Sequence, residues 1–209
     1  MFNQSPFDEH SDLYEKWFHN NEAVYLSELE AIRALLPSSG NGLEIGVGSG
    51  RFSTPFGIKV GVEPSERMAN IAMGRGITVI RGFAEDLPFF NESFDFALMV
   101  TTICFVEDLG KSFSEANRIL RSGGSLLTGF VDRESPLGQI YLENRNKSTF
   151  YRSATFYSTF EVLTELEKAG FMNFDYTQTI FNPLKEINET EPVSTGYGEG
   201  SFVVIRAVK

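Results

Sequence analysis

The segment "GLEIGVGSGRFS", residues 42–53, constrains the fold most: an apolar run holding one acid, Glu44, leads into Gly46, Gly48 and Gly50 at spacing two. Three glycines so close together do not extend a strand or a helix, because each costs backbone entropy there and offers no side chain to pack. They suit a loop whose backbone comes within van der Waals distance of a ligand, since no Cβ intervenes and positive φ costs little. A strand ending in such a loop is the opening unit of an open parallel sheet, and these sheets bind ligands at the carboxyl ends of their strands.

The remaining chain supplies that sheet. Short apolar runs recur at "IKVGVEP", "ITVIRG", "FDFALMV", "GSLLTGFV" and "SFVVIRAVK", divided by polar or helical segments, and read as strands. Leu13 and Trp17, then Tyr25, Leu29, Ile32 and Leu36, recur at three- and four-residue steps, so two helices open the chain and stop at Pro37 to Gly40. Ser112 with Glu115 predicts a capping box, followed by Phe113, Ala116 and Leu120 on one face until Gly123 and Gly124. Ser158 with Glu161 predicts a second box, closed by Gly170 in the left-handed position. This alternation argues for a parallel sheet covered on both faces. Only a polar loop, Asn182 to Gly200, joins "FMNFDYTQTIF" to "SFVVIRAVK", so these two are expected to pair antiparallel around a mobile connection. No repeat or composition break marks a second domain, and one domain over residues 1–209 is expected.

Composition removes several function classes. With 42% apolar residues the chain can bury a sizeable core, but its formal charge of −10 repels a phosphate backbone, so nucleic acid is not an expected partner. Cys104 is the only cysteine, which excludes an internal disulfide and a cysteine-cluster metal site and suits a reducing, cytoplasmic setting; no metal is expected. The start "MFNQSPFDEH" has neither a basic segment nor an apolar run. No stretch reaches the roughly 18 apolar residues of a membrane span, so no membrane partner is expected.

The glycine loop by itself suits several nucleotide-derived cofactors. A dinucleotide fingerprint would put its third glycine at position 51, where Arg51 stands. The spacing here is instead G-x-G-x-G behind an acid. Nineteen residues after Glu44, "KVGVEPSERM" ends the second strand in Glu63, a carboxylate able to accept both hydroxyls of a ribose. "RGFAEDLPF" follows the third strand, "ESFDFALMV" is the fourth, and "RILRSGGSLLTGF" is helix, turn and fifth strand. Over about residues 24–131 this order resembles the class I S-adenosylmethionine-dependent methyltransferases, in particular the small-molecule, type 11-like group.

That resemblance implies a Rossmann-like three-layer α/β sandwich, with a seven-stranded, mostly parallel sheet, an antiparallel last strand and helices on both faces. It implies S-adenosylmethionine as methyl donor, with Gly46, Val47, Gly48 and Gly50 around its aminopropyl and carboxylate end and Glu44 receiving its ammonium group. Glu63 would take the ribose, Pro64 and Met68 would line the adenine side, and Thr101 or Thr102 would touch the methionine portion. Relatives usually carry Asp where Phe83 stands; here Ala84 and Glu85 would supply a backbone donor and an acceptor, and Phe83 would pack on the purine. A further departure is "RFSTPFGIKVGV", about one helical turn short, in which Pro55 limits helix and weakens the dipole behind the loop.

The chain then divides into an N-terminal helical cap (1–40), a cofactor-binding core (41–131), a candidate substrate lid (132–157) and a C-terminal helix with the antiparallel pair (158–209). Cys104 and Phe105 stand where many relatives have a histidine pair, so no catalytic residue is identified; His19 is the candidate, by way of the cap. Tyr14, Trp17, Phe105, Tyr151 and Arg152 are the candidate acceptor contacts. Arg133, Arg145, Lys147 and Arg152 among the lid aromatics point to a small anionic or polar aromatic acceptor, with an aromatic cage for a cationic amine as the alternative. The expected activity is in-line methyl transfer to a small molecule by a monomer or homodimer, mainly through proximity and desolvation. A non-catalytic donor-binding protein and a nicotinamide-dependent oxidoreductase remain the alternatives.

Overall fold

A computed structural model describes residues 6–209. Strands β1 (Gly42–Ile45), β2 (Val60–Val62), β3 (Thr78–Ile80), β4 (Phe94–Val100) and β5 (Leu120–Val131) run parallel. β6 (Met172–Thr179), β7 (Ser194–Thr195) and β8 (Phe202–Val208) join antiparallel, giving the order β3-β2-β1-β4-β5-β8-β6-β7. Seven of these strands are the expected ones; the eighth, β7, is a two-residue addition that pairs Ser194 and Thr195 with β6.

Period-two alternation sends successive side chains of the central strands into two separate cores. Ala97 and Met99 of β4, Leu126 and Phe130 of β5, and Val203 and Ile205 of β8 meet Phe113, Ala116 and Ile119 of α6 (Leu109–Ile119) and Val162 and Leu166 of α8 (Thr159–Lys168). Leu98 and Val100, Leu127, and Phe202 and Val204 face the other way. There they meet Phe18 of α2 (Ser11–Asn20) and Leu29, Ala31 and Ile32 of α3 (Glu22–Arg33). Each fully buried Leu or Phe contributes about 1.5–3 kcal/mol, so both helical layers are held by the sheet's own alternation. The remaining helices are α1 (Pro6–Glu9), α4 (Ser53–Phe56), α5 (Glu66–Gly74) and α7 (Pro136–Asn144).

Helix boundaries depart from expectation where a polar side chain closer to the turn competes. Asp108, not Ser112, caps α6 by accepting from the Lys111 backbone N–H at 2.9 Å, and the Ser112 hydroxyl donates back to the Asp108 carbonyl. Glu115 is then free to pair with Arg118 and to accept from Leu87 N. α6 also stops at Ile119, because Leu120 already pairs with Phe94; residues between Leu120 and Ser125 form the irregular start of β5. The Ser158–Glu161 box is formed, and Gly170 has φ +90°. Leu13, read as apolar-face, is 49% exposed, and a short helix, α1, precedes the two expected ones. The connection from Asn182 to Gly200 is fastened down: Glu191 is buried, donates its backbone N–H to Ser27 Oγ, and accepts from Phe181 N and Asn182 Nδ2.

Candidate active site

β1 ends in a turn pinned by the Val62 carbonyl, which accepts from the N–H groups of Gly46 and Val47 at 2.8 and 2.9 Å. All three glycines have positive φ, yet they do different work. A Cβ on Gly46 would stand 2.4 Å from Thr102 and one on Gly50 would stand 2.4 Å from Ile77, so these two let the loop pack against the protein. Gly48 opens outward: a Cβ there would meet only Met68 Cε and the Tyr14 hydroxyl, both at 3.6 Å. Of the three, Gly48 is the one where a Cβ would meet nothing closer than ordinary van der Waals contact.

Two carboxylates support this loop. Glu63 accepts from Gly48 N and from Ser65 N, both at 2.8 Å, tying the glycine loop to the start of α5. Burial raises its carboxyl to about 7 against the pull of those two bonds. Glu44 is buried at 1% exposure and accepts from the Ser53 hydroxyl at 2.5 Å, joining β1 to α4. Burial pushes it up to about 8. α4 is a single turn containing Pro55 and ending at Gly57, so the dipole behind the loop is as short as the sequence indicated.

The other predicted contacts are spread around this centre. Thr102 packs on Gly46, its hydroxyl donating to the Val100 carbonyl at 3.1 Å. Thr101 holds φ +51° at the carboxyl end of β4, an outlier for a β-branched residue, and its N–H donates to the Gly129 carbonyl. Strain of this kind concentrates at functional sites. Met68 is buried under Gly48, Pro64 is half-buried with its carbonyl accepting from Arg81, and Ala84 is buried. Phe83 is 48% exposed. Glu85 is committed elsewhere: its carboxylate accepts from Glu107 N at 2.7 Å and Asp108 N at 3.3 Å, bracing the β4–α6 loop. Cys104 is a half-buried thiol that desolvation pushes up to about 12, far from the thiolate a nucleophile requires.

The cap and the segment after β5 meet above the loop. Glu15 of α2 pairs with Arg51 at 2.6 Å and Arg75 at 2.5 Å, and Arg75 donates to the Ser49 carbonyl. Although burial raises it, Glu15 is held down to about 2 by the hydrogen bonds from Arg75 and Arg51. The Tyr25 hydroxyl donates to the Arg51 carbonyl, while Ser65 and Arg67 reach Asp8, Ser11 and Asp12. Phe7 packs on Tyr14, Phe105 and Phe150 with ring centroids 5.8, 5.0 and 5.1 Å apart. Tyr151 continues the wall, 6.1 Å from Phe105, 5.0 Å from Tyr141 and 5.5 Å from Phe156. Tyr14, Phe105 and Tyr151 are thus brought together. Trp17 packs edge-on against Phe18, and Arg152 is exposed beside Tyr151. His19 is exposed in the last turn of α2, about 100° round the helix from the buried Phe18.

One inward residue escaped the sequence reading. Glu28 of α3 is 5% exposed, and burial pushes its carboxyl up to about 8. The signal was present: Val24, Glu28 and Ile32 follow each other at four-residue steps, so an acid occupies the apolar face.

Among known proteins, residues 43–128 match a family model described as a methyltransferase domain. The chain is 49% identical, over 97% of its length and 98% of the relative's, to an uncharacterized protein of Methanocaldococcus jannaschii. It is 55% identical, with 98% of each chain covered and a TM-score of 0.96, to a Thermotoga maritima crystal structure named as a SAM-dependent methyltransferase, possible histamine N-methyltransferase. Over 43% of its length it is 34% identical to 42% of the demethylmenaquinone methyltransferase of Roseiflexus castenholzii. With its sheet order, glycine loop and strand-end carboxylates, the chain belongs to the class I S-adenosylmethionine-dependent methyltransferases.

Proposed function

We propose that this methyltransferase acts on a small-molecule acceptor enclosed between the cap and residues 132–157. The observation that carries the reading is the aromatic wall: Phe7, Tyr14 and Phe105 meet Phe150 and Tyr151, with the Tyr14 hydroxyl beside Gly48 of the glycine loop. Such a cover admits a small ligand and excludes a macromolecular surface. No helix among the described residues is long and apolar enough to cross a membrane, and a cytoplasmic setting suits the single, reduced cysteine.

The residues fit the methyl donor. Gly48 leaves a cradle that a side chain would fill, with two buried carboxylates behind it. S-adenosylmethionine brings a methyl group on a sulfonium, already activated for in-line displacement. Glu44 would receive its ammonium group and Glu63 its ribose hydroxyls, the latter using the lone pairs left over from Gly48 N and Ser65 N. Met68, Pro64, Ala84 and Phe83 would surround the adenine, and Thr101 and Thr102 the methionine portion. Tyr14 and the aromatic wall keep water from the reacting centre, which strengthens every polar contact inside it.

Calorimetric titration with S-adenosylhomocysteine, with NADH as control, tests the site assignment. One saturable site for S-adenosylhomocysteine is expected; heat with NADH alone would overturn it. The word amine in the name of the Thermotoga relative's suggested activity, an N-methyltransferase acting on histamine, makes small amines the first acceptors to screen.

A further inference from the structure

Glu15 joins the cap to the glycine loop through two arginines. Its Oε2 accepts from Arg51 Nε at 3.1 Å, from Arg51 Nη2 at 2.6 Å and from Arg75 Nη2 at 2.5 Å, while Oε1 accepts from Arg75 Nη1 at 3.3 Å. Both arginines act on the loop itself. Arg51 follows Gly50 directly, and Arg75 also donates to the carbonyl of Ser49, which lies between Gly48 and Gly50. The cap grips Arg51 twice more: the Phe18 ring of α2 lies 5.2 Å from its guanidinium, and the Tyr25 hydroxyl of α3 donates to its carbonyl.

Tyr14, the residue before Glu15, carries this attachment to the aromatic wall. Its hydroxyl stands 3.6 Å from where a Cβ on Gly48 would lie, and its ring touches Phe7, Phe18 and Phe150 with centroids 5.8, 5.0 and 6.1 Å away. Edge-on ring contacts fix a helix less firmly than a carboxylate shared by two guanidinium groups. A second ion pair on α2, Asp12 with Arg67 at 3.1 Å, is a weaker anchor, because the Asp12 side chain is 89% exposed against 22% for Glu15. The position of Tyr14 over the loop is therefore set chiefly by its neighbour.

We propose that Glu15 is a positioning residue for methyl transfer: shared between Arg51 and Arg75, it holds Tyr14 over Gly48 and keeps the donor seated in the glycine loop. The inference rests on the donor reading of that loop and adds to it the part of the cap that closes it. Methyl transfer needs the reacting atoms aligned and water kept out, and both depend on a cover that stays in place for the lifetime of the complex. An ion-pair cover also gives the enzyme a salt dependence that its ligand does not impose, since S-adenosylhomocysteine carries one ammonium and one carboxylate and is neutral overall.

Surface plasmon resonance with S-adenosylhomocysteine tests this through the dissociation rate. Raising sodium chloride from about 0.05 M to about 1 M should speed release from the wild type by about threefold or more, as the screening length shrinks to about 3 Å. Glu15→Gln should release the ligand about tenfold faster at low salt and lose most of the salt dependence. Asp12→Asn, which breaks the exposed pair on the same helix, should change the rate by less than about twofold. Cooperative urea unfolding, followed at Trp17, the only tryptophan, establishes that each variant is folded. A wild-type rate indifferent to salt would overturn the assignment without any variant. So would an unchanged rate in folded Glu15→Gln, or an equal acceleration by Asp12→Asn, which would make cap attachment in general the cause. Failure of the wild type to bind S-adenosylhomocysteine would overturn the donor site itself, a separate result.

Discussion

The glycine loop and the aromatic wall beside it are built in opposite ways. The glycine loop and its two carboxylates come from one stretch, Glu44 to Ser65, and the carboxylates already hold hydrogen bonds: Glu44 from Ser53, Glu63 from Gly48 and Ser65. The aromatic wall draws Tyr14 from α2, Phe105 from the loop between β4 and α6, Tyr141 from α7 and Tyr151 beyond it, and ring contacts join them. A site whose polar groups bond to their own backbone keeps its shape without ligand. A wall assembled from helices and loops far apart in the chain can change residue by residue without disturbing the loop beside it.

The largest effect that could break this contrast lies within the glycine loop. Gly46→Ala puts a methyl 2.4 Å from Thr102 at φ +73° and should cost about 3 kcal/mol or more in urea unfolding. Gly48→Ala should cost only about 1–2 kcal/mol, all of it backbone strain, while abolishing S-adenosylhomocysteine binding. Equal stability losses would mean that Gly48 packs like its neighbours. Next, Glu63→Ala should weaken S-adenosylhomocysteine by about 1–3 kcal/mol in calorimetry, and unchanged affinity would remove Glu63 from the ribose.

Acidity sharpens the comparison, since Glu44 of the loop and Glu28 of α3 are both buried acids. Glu28 and Glu44 keep their protons up to about 8 when folded, against an ordinary value of 4.5. The folded state therefore binds more protons than the unfolded chain between these values, so the contribution is full below pH 4.5 and lost as pH rises towards 8. The Tm of the ligand-free protein should fall from pH 5 to pH 8, and Glu28→Gln should lessen that fall by on the order of 5 °C. Glu15, already ionised above about 2, adds no slope in this window. The smallest effect is expected at Arg152→Ala, which should leave acceptor kcat/KM within about 0.5 kcal/mol because the side chain is exposed; a larger loss would place Arg152 at the acceptor.

Much of the cradle could be read before folding because its parts are close in the chain and obey local rules. The capping box at Ser158 and the turn glycine at Gly170 were legible for the same reason. The reading failed where a competing neighbour decided the outcome: Asp108 took the cap expected of Ser112. Residues 182–200, polar enough to suggest mobility, are pinned by Ser27, 164 residues from Glu191 in sequence.

The sequence by itself determined the strand-helix order, the glycine loop and the strand-end acids, because hydrophobic period and backbone freedom act within a few residues. Only the tertiary structure decided which acids are buried, which arginines are spent on ion pairs and which glycines pack against the protein. Those outcomes depend on burial and on competition between partners far apart in the chain, and neither exists until the sheet has brought them together.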